Sequence, residues 1–265
     1  MIDDQKSTFD KQASDNVRTH FEALASQREA WIRRNKYFYQ EDWAYMGFLA
    51  GGGGRVLELG CGTGSLLASL EPDFGVGVDI SPAMIENARA AHPGIEFHIG
   101  DMEDPEVLAA LPGPFDTIIL SDGIGTLQDC QRLFDNLHQL CHRETRVVVA
   151  YYSHLWEPLL FLAEKLGRKM PQLPQSWMST ADISNILDLS GFETVRTDVK
   201  QIIPRRLLGL GTLINRYIGS LPGVRALCLR QYVVGRSMRH AGLQAPSASI
   251  IVPCRNESGN IEAAI

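Results

Sequence analysis

The sequence predicts an α/β fold in which helices cover both faces of a mostly parallel β-sheet. Two observations support this fold class. Short apolar segments alternate with helical segments between residues 56 and 150, which is the pattern of successive strand–helix–strand crossovers. These apolar segments show little polar alternation, as expected for strands that are covered on both faces.

The predicted elements follow in order along the chain. Residues 9–48 are rich in helix formers, and four glycines at positions 51–54 end this helical region. Further helices are predicted near residues 64–70, 82–91, 105–111 and 129–141. Pro204 and Pro222 interrupt the stretch before the last strand, so an antiparallel strand at the sheet edge fits better than a simple crossover. The seven predicted strands are Val56–Leu59, Gly75–Val78, Ile95–Ile99, Thr117–Leu120, Arg146–Ala150, Thr194–Val199 and Leu229–Val234.

The first predicted strand ends in a glycine-rich turn that contains Gly60, Gly62 and Gly64. Glycine suits this turn because it accepts positive φ and lets a cofactor lie directly against the backbone. A nicotinamide dinucleotide site has the spacing GxGxxG, whereas here the third glycine comes one residue early. Glu58 fits poorly beside a pyrophosphate and well beside an ammonium group. The turn therefore favours a nucleoside that carries an amino acid, with a nicotinamide-dependent oxidoreductase as the alternative.

Acidic residues follow the next three strands of the predicted sheet. Asp79 can accept both hydroxyls of a ribose, and Asp101 can accept from an adenine amino group while Met102 packs on the ring. Ser121 and Asp122 follow the fourth strand and open into the same crevice. Since open α/β sheets bind ligands at the carboxyl ends of their strands, we expect one site to collect all these residues.

The segments ELGCGTG (58–64), GVDIS (77–81), IGDM (99–102) and FDTIILSD (115–122) resemble the successive motifs of class I S-adenosylmethionine-dependent methyltransferases. The resemblance covers roughly residues 35–240. It implies a Rossmann-like three-layer sandwich with a mostly parallel seven-stranded sheet and an antiparallel last strand. It also implies S-adenosylmethionine as cofactor and methyl transfer as the reaction. The cofactor-binding residues that it implies are Tyr37, Glu58, Gly60, Cys61, Gly62, Gly64, Asp79, Ile80, Met84, Asp101, Met102, Ser121 and Asp122.

No catalytic base follows from the sequence. Methyl transfer from a sulfonium depends mainly on alignment of the acceptor, and only a poorly acidic acceptor needs a base. Asp122 and His154 are the candidates. His138 and His142 fall in one predicted helix at the i, i+4 spacing of a metal pair, but no third ligand is apparent, so we predict no metal site.

The charge of the chain is divided unevenly. The net charge is −6, yet residues 199–241 carry eight basic residues and no acidic ones, which leaves −14 for the rest. The acidic body argues against nucleic acid as a partner. Residues 204–230 form either a lid helix packed on the sheet or a site for a membrane surface or an anionic acceptor. Without a secretory signal or a long apolar run, we expect a cytoplasmic protein, with peripheral contact at the inner membrane surface under the second interpretation.

The C-terminal residues 249–265 resemble the opening strand and helix of inverting family 2 glycosyltransferases, although the acidic metal-binding motif of those enzymes is absent. We therefore predict a helical cap over residues 1–50, a methyltransferase domain over 51–240 with a basic helical insertion at 200–228, and a linker with a truncated glycosyltransferase-like start over 241–265. This resemblance indicates a small-molecule, glycan or lipid-linked acceptor and a fusion partner. A non-catalytic domain that binds S-adenosylmethionine and regulates that partner is the alternative.

Overall fold

The computed structural model describes residues 2–219, 221 and 223–240, with side chains from residue 12 onward except that of Leu208. Seven strands form one sheet in the order β3-β2-β1-β4-β5-β7-β6. The strands are β1 (Arg55–Leu59), β2 (Phe74–Asp79), β3 (Glu96–Ile99), β4 (Phe115–Ser121), β5 (Cys141–Tyr152), β6 (Phe192–Lys200) and β7 (Arg230–Ser237).

The direction of the strands confirms the predicted fold class. β1 to β5 pair in parallel, whereas β7 pairs antiparallel with both β5 and β6. The sheet is therefore mostly parallel with an antiparallel last strand. Because β6 runs parallel to β5, the chain leaves β6 and enters β7 at the same edge of the sheet where β1 to β4 end.

Ten α-helices are present in the described residues: α1 (Ile2–Leu24), α2 (Arg28–Arg34), α3 (Lys36–Ala50), α4 (Ser65–Ser69), α5 (Pro82–Ala91), α6 (Pro105–Ala109), α7 (Cys130–Leu137), α8 (Glu157–Lys165), α9 (Thr180–Leu189) and α10 (Leu210–Leu213). The helical region predicted for residues 9–48 is thus three helices. The break between α2 and α3 falls at Asn35, whose side chain donates to the carbonyl of Trp31 at 3.1 Å. Asparagine competes in this way with regular helix hydrogen bonds.

Neighbouring residues of the inner strands pack on opposite faces of the sheet. Leu57 and Ile118 belong to a core with α6, α7 and α9, while Val56 and Ile119 belong to a core with α3, α4 and α5. Successive side chains of a strand point to opposite faces, so both faces of β1 and β4 are apolar and covered. This packing produces the three layers.

The predicted helix over residues 129–141 is wrong at its end. α7 stops at Leu137, and Cys141 already pairs with β4 as the first residue of β5. The pairing with β4 overrides the local helical pattern, so His138 and His142 do not share a helix. His138 lies between Ser237 and the carbonyl of Ser190, at 2.6 Å from each. Among the described residues, no group of three histidine, cysteine or acidic side chains could hold a metal ion.

The connection between β6 and β7, residues 201–229, is a long loop with helical pieces rather than a tight turn. Its helical pieces are short, at Leu207–Gly209, α10, Ile214–Ile218 and Val224–Leu227. α10 runs directly into Ile214–Ile218, but glycines in the left-handed region at Gly209 and Gly223 interrupt the helical conformation before Leu210 and before Val224, so a single lid helix does not form. The two ends of this connection are joined by a hydrogen bond from the Leu229 amide to the Gln201 carbonyl at 2.7 Å.

Residues 241–265, which carry the predicted linker and glycosyltransferase-like start, lie outside the described residues. Within the described part of the chain, no helix is both long enough and apolar enough to cross a membrane.

Candidate active site

A cavity of about 410 Å³ lies at the carboxyl edge of β1 to β4. This volume is within the range of about 300–1,000 Å³ that is usual for small-molecule sites. The cavity continues from the strand ends, under α1 to α3, toward α8 and residues 204–205. Nine of the residues predicted to bind the cofactor line it: Gly60, Gly62, Asp79, Ile80, Met84, Asp101, Met102, Ser121 and Asp122.

The glycines of the turn after β1 have two different roles. Gly60 and Gly62 have φ values of +71° and +53°, and a Cβ on either would meet no atom closer than 3.8 Å. Both residues line the cavity, so a side chain there would fill it. A Cβ on Gly64 would instead lie 2.6 Å from the ring of Phe97. Gly64 is therefore required by packing, and it does not line the cavity.

Asp79 joins the glycine turn to the end of β2. Its two carboxylate oxygens accept from the Gly62 amide at 2.8 Å and from the Ser81 amide at 2.9 Å. Burial raises the pKa of Asp79, against the lowering effect of these two hydrogen bonds. Each carboxylate oxygen can accept more than one hydrogen bond, so Asp79 keeps acceptor capacity toward the cavity.

Asp101 is fixed in a similar way at the end of β3. Its carboxylate accepts from the Glu103 amide at 2.9 Å and from the Ser14 hydroxyl at 2.6 Å. Glu103 in turn accepts from the Asp129 amide at 2.8 Å. The end of β3 is thus tied both to α1 and to the segment that precedes α7.

The N-terminal helices close over this part of the cavity through two glutamates. Glu22 of α1 accepts from the Ser81 hydroxyl at 2.6 Å. Glu29 of α2 accepts from the hydroxyls of Thr63 at 2.6 Å and Ser65 at 2.8 Å. These contacts join both helices to the turns after β1 and β2.

Arg28 is a cavity residue that sequence reasoning missed. Its Nε lies 3.9 Å from the position that a Cβ of Gly62 would take, and its Nη1 donates to the Tyr39 hydroxyl at 3.4 Å. Burial acts to lower the pKa of Arg28, but Tyr39 and Asp122 outweigh it, so the pKa is raised and the guanidinium stays charged. No spacing in the sequence connects α2 with the glycine turn, since only the fold brings them together.

Four of the predicted cofactor residues do not line the cavity. Gly64 is one. Glu58 is buried and accepts from the Leu67 amide at 3.0 Å, and burial raises its pKa to about 8. Cys61 is buried, and its Sγ lies 2.8 Å from the position that a Cβ on Gly77 would take. The hydroxyl of Tyr37 lies 3.3 Å from that of Thr212, in the β6–β7 connection.

Asp122 is held by a buried ion network at the end of β4. Arg230, which is fully buried, donates to Asp122 and makes a two-pronged contact with Asp42 at 3.0 and 3.1 Å. Tyr232 also donates to Asp42, at 2.5 Å. Asp122 itself has a φ of +61°, a strained value for a residue other than glycine. The network therefore fixes the carboxylate of Asp122, while a hydrogen bond from the Asp122 amide to the Ala150 carbonyl at 2.9 Å holds its backbone.

The other candidate base, His154, lies outside the cavity. It is exposed at the start of a short helical turn before α8. Tyr152, two residues earlier, does line the cavity, stacked on Phe38 at 6.0 Å between ring centroids. The cavity therefore contains Asp122 but not His154.

The far end of the cavity is apolar and basic. Leucines of α8 and its end line it together with Arg168, Lys169 and Arg205. Lys169 contacts Glu164 at 2.7 Å, and burial lowers its pKa while Glu164 raises it. Arg168 and Arg205 are exposed. The leucines concerned are Leu159, Leu160, Leu162 and Leu166.

A family model described as a methyltransferase domain matches residues 31–197. The chain belongs to this family. The matched residues run from α2 to β6 and include the glycine turn and the ends of β1 to β4. S-adenosylmethionine is the methyl donor that this family uses.

Three curated relatives of this methyltransferase domain share parts of its sequence. The trans-aconitate 2-methyltransferase of Escherichia coli is 32% identical over 116 residues, which cover 42% of this chain and 44% of that protein. The demethylmenaquinone methyltransferase of Streptomyces avermitilis is 26% identical over 132 residues, covering 48% and 56%. The release factor glutamine methyltransferase of Rhodospirillum rubrum is 40% identical over 88 residues, covering 29% and 25%. The chain thus spans about a quarter to about half of these relatives.

Solved structures share the fold over most of the chain. A possible histamine N-methyltransferase from Thermotoga maritima has a TM-score of 0.59 at 18% identity, covering 83% of this chain and 98% of that one. The magnesium protoporphyrin IX methyltransferase of Synechocystis with bound S-adenosylhomocysteine (SAH) has a TM-score of 0.57 at 20% identity, covering 85% and 99%. At these identities the similarity establishes the fold alone.

Proposed function

We propose that this chain transfers the methyl group of S-adenosylmethionine to a small lipophilic acceptor that carries an anionic group. One observation carries the proposal. The cavity joins the polar ends of β1 to β3 with the apolar and basic end formed by α8 and Arg205. The polar end, together with α1 and α2 that cover it, is called the donor half. The apolar and basic end, together with residues 166–172 and 201–229, is called the acceptor half.

The donor half fits S-adenosylmethionine. Gly60 and Gly62 leave room against the backbone that a Cβ would fill. Arg28 would pair with the carboxylate of the methionyl group, and Asp79 would accept the ribose hydroxyls. Asp101 would accept from the adenine amino group. When bound, the cofactor supplies a methyl group on a positively charged sulfur, which leaves as a neutral thioether.

The protein contributes alignment rather than a strong base. The ion pair with Arg230 fixes the Asp122 carboxylate at the boundary of the two halves, where it can orient an acceptor hydrogen-bond donor. Cover by α1 and α2 excludes water from the donor half. A methylated atom that is already ionised needs no further proton transfer, in keeping with the absence of His154 from the cavity lining.

The lining of the acceptor half supports the acceptor class. Leu159 and Leu162 suit an apolar body, and Arg168 and Arg205 suit a carboxylate or phosphate. Two relatives act, by their names, on demethylmenaquinone and on trans-aconitate. A lipid-linked precursor fits this lining better than a plain glycan. Fusion to a glycosyltransferase stays a prediction from residues 249–265, which the coding sequence after Ile265 would test.

Titration calorimetry with S-adenosylmethionine and turnover to SAH test the proposal together. Asp79→Ala is expected to weaken binding about 100-fold, because it removes charged hydrogen bonds worth about 1.5–3 kcal/mol each. Asp188→Ala, which removes an exposed carboxylate of α9, is the matched control and should bind as the native protein does. Thermal unfolding of both variants checks that they are folded.

The outcomes separate the alternatives. Turnover with long-chain carboxylates or lipid phosphates, and not with their neutral esters, supports the proposal. Tight binding without turnover on either panel would favour a regulatory domain. Competition by NADH would favour an oxidoreductase, and unchanged affinity of Asp79→Ala would contradict the assigned site.

A further inference from the structure

Large apolar side chains are exposed mainly in two segments, residues 155–166 and 207–227. These segments hold twelve of the seventeen large apolar side chains that are exposed among the described residues. Single exposed leucines are ordinary on protein surfaces, but a concentration of them marks an interaction site. The twelve are Leu155, Leu159, Phe161, Leu162, Leu166, Leu207, Leu210, Leu213, Tyr217, Ile218, Leu221 and Leu227.

The first segment has apolar residues on two sides. Leu160 points inward and packs against the cluster of Phe38, Tyr152 and Leu229. A second set at positions 155, 159, 162 and 166 has the spacing of one helical face, and each of its leucines is at least half exposed. Leu160 already supplies the contact of α8 with the core. Packing within the chain therefore does not account for the exposed leucines at positions 155, 159, 162 and 166.

The second segment is anchored by one polar side chain. The Asn215 side chain accepts from the amides of Ile202 and Ile203 at 2.9 Å each. This anchor turns the polar side of the segment toward the protein. Leu210 and Leu213 remain 59% and 57% exposed.

The first segment borders the mouth of the cavity, and the second begins two residues after Arg205, which also lines the cavity. Leu159, Leu162 and Leu166 line it on one side, and Arg205 lines it on the other. The indole of Trp156 donates to the Leu227 carbonyl at 2.9 Å, which joins the start of α8 to the second segment. The exposed leucines therefore extend from the opening of the acceptor half onto the neighbouring second segment.

The charge differs between the two segments: the first carries Glu157 and Glu164 as well as basic residues, whereas the second is purely basic. Residues 201–229 contain Arg205, Arg206, Arg216 and Arg225 and no acidic residue, and all four arginines are exposed. Exposed Lys165 and Arg168 at the end of α8 belong to the same rim. The rest of the chain is acidic, so this basic character is confined to the part that carries the exposed leucines.

We propose that residues 155–168 and 205–227 form a docking surface for an anionic lipid bilayer. Its leucines enter the boundary between headgroups and acyl chains, and its arginines pair with lipid phosphates. An anionic bilayer satisfies both features at once, whereas a neutral apolar partner would not compensate the charges of Arg205, Arg206 and Arg216; Arg225 already pairs with Asp198 of β6 at 3.0 Å. Docking places the cavity mouth against the membrane, and direct delivery of a lipophilic acceptor then rests on the function proposed above.

Sedimentation with lipid vesicles tests the docking surface on the 265-residue chain without cofactor or acceptor. Vesicles of phosphatidylcholine alone are compared with vesicles that also contain phosphatidylglycerol. We expect binding to the second kind, weakened by salt because the arginines act through screened charge. Arg206→Ser should weaken binding roughly fivefold, since one arginine near an anionic surface is worth about 1 kcal/mol. Arg132→Ser, which removes an exposed arginine of α7, is the matched control and should have no effect.

The apolar part of the surface is tested by Leu210→Ser with Leu213→Ser. Neither residue lines the cavity, so affinity for S-adenosylmethionine should not change while vesicle binding falls at least about tenfold. Leu189→Ser, at an exposed leucine of α9, is the control and should bind vesicles normally.

Failure to bind either vesicle, or equal losses in Arg206→Ser and Arg132→Ser, would overturn the proposal. Self-association that the Leu210/Leu213 variant abolishes, without vesicle binding, would assign the surface to a second copy instead. Methyl transfer with normal kinetics alongside any of these results would leave the proposed function standing.

Discussion

The donor and acceptor halves of the cavity are built in different ways. In the donor half, Asp79 accepts from the backbone amides of Gly62 and Ser81, and Asp101 accepts from the backbone amide of Glu103. In the acceptor half, short helical pieces are held by a few side chains such as Asn215 and Trp156, and many leucines remain exposed. The carboxylates of the donor half are thus fixed by backbone amides, whereas the acceptor half is held mainly by single side chains that join distant segments.

This difference indicates a division of labour. A cofactor that is the same throughout a family can be bound by backbone-fixed groups, because the required geometry does not change. An acceptor that differs between relatives is better served by a separate cover that can change without disturbing the sheet. Three changes to the protein test how independent the two halves are.

The largest expected effect falls on the junction of the two halves. Asp42→Ala leaves the buried guanidinium of Arg230 with only part of its partners and should reduce the free energy of unfolding by about 3–5 kcal/mol. Urea unfolding measures this loss. Tyr232 also loses its acceptor, which adds to the effect.

A double variant distinguishes the buried charge from simple packing. Replacing both partners, as Asp42→Leu with Arg230→Met, removes the unpaired charge and should recover most of the stability. Asp122 would lose its ion pair in that protein, so turnover should remain low even though the fold is restored. Equal stability of the single and double variants would show that the charge is not the cause.

The second effect concerns the rigidity of the donor half and depends on pH. Burial raises the pKa of Glu58 from 4.5 to about 8, so the folded protein binds this proton more tightly than the unfolded chain. The resulting stability is present in full below pH 4.5 and is lost as the pH rises through the folded value of about 8. The difference in unfolding free energy between the native protein and Glu58→Gln should therefore fall by about 1.4 kcal/mol per pH unit across this window.

Urea unfolding of both proteins without cofactor, at several pH values, measures that slope. Glu86→Gln removes an exposed carboxylate of α5 and serves as the control, with no slope expected. A flat difference for Glu58→Gln would mean that Glu58 is ionised in the folded protein at neutral pH.

The smallest of the three effects concerns Arg28. Arg28→Gln should weaken S-adenosylmethionine binding roughly 30-fold, or about 2 kcal/mol, by removing a charged hydrogen bond to the methionyl carboxylate. Decarboxylated S-adenosylmethionine provides the sharper test, because the native protein and the variant should bind it equally. Arg33→Gln on the same helix is exposed and should behave as the native protein does. A loss of equal size with both ligands would show that Arg28 supports the fold and not the carboxylate.

The sequence was sufficient for the fold class and for nine of the residues that line the cavity. Gly60, Asp79 and Asp101 belong to strand–turn segments whose role depends on local backbone geometry, and that geometry is visible as a short motif. Gly64 shows the limit of this reasoning. Its place in the motif suggested contact with the cofactor, yet the closeness of Phe97 accounts for it.

Features that depend on distant contacts could not be predicted. Arg28 reaches the glycine turn only because α2 crosses the ends of the strands, and nothing in its neighbourhood along the chain marks it. The helix predicted for residues 129–141 failed at its end for the related reason that β5 pairs with β4 from Cys141 onward. Arg230 was visible only as one basic residue among eight, although it is the buried centre of an ion network.

The two ends of the β6–β7 connection are hydrogen-bonded to each other, so this part of the acceptor half could be replaced by another segment. The Gln201 carbonyl and the Leu229 amide meet at 2.7 Å, so the chain between them begins and ends at nearly the same place. Closing a loop of twice the length costs only about 0.6 kcal/mol more in chain entropy. Segments of other lengths could be inserted between these two residues without a change in strand register. This connection is therefore the place at which to redesign the choice of acceptor while the proposed cofactor site is left unchanged.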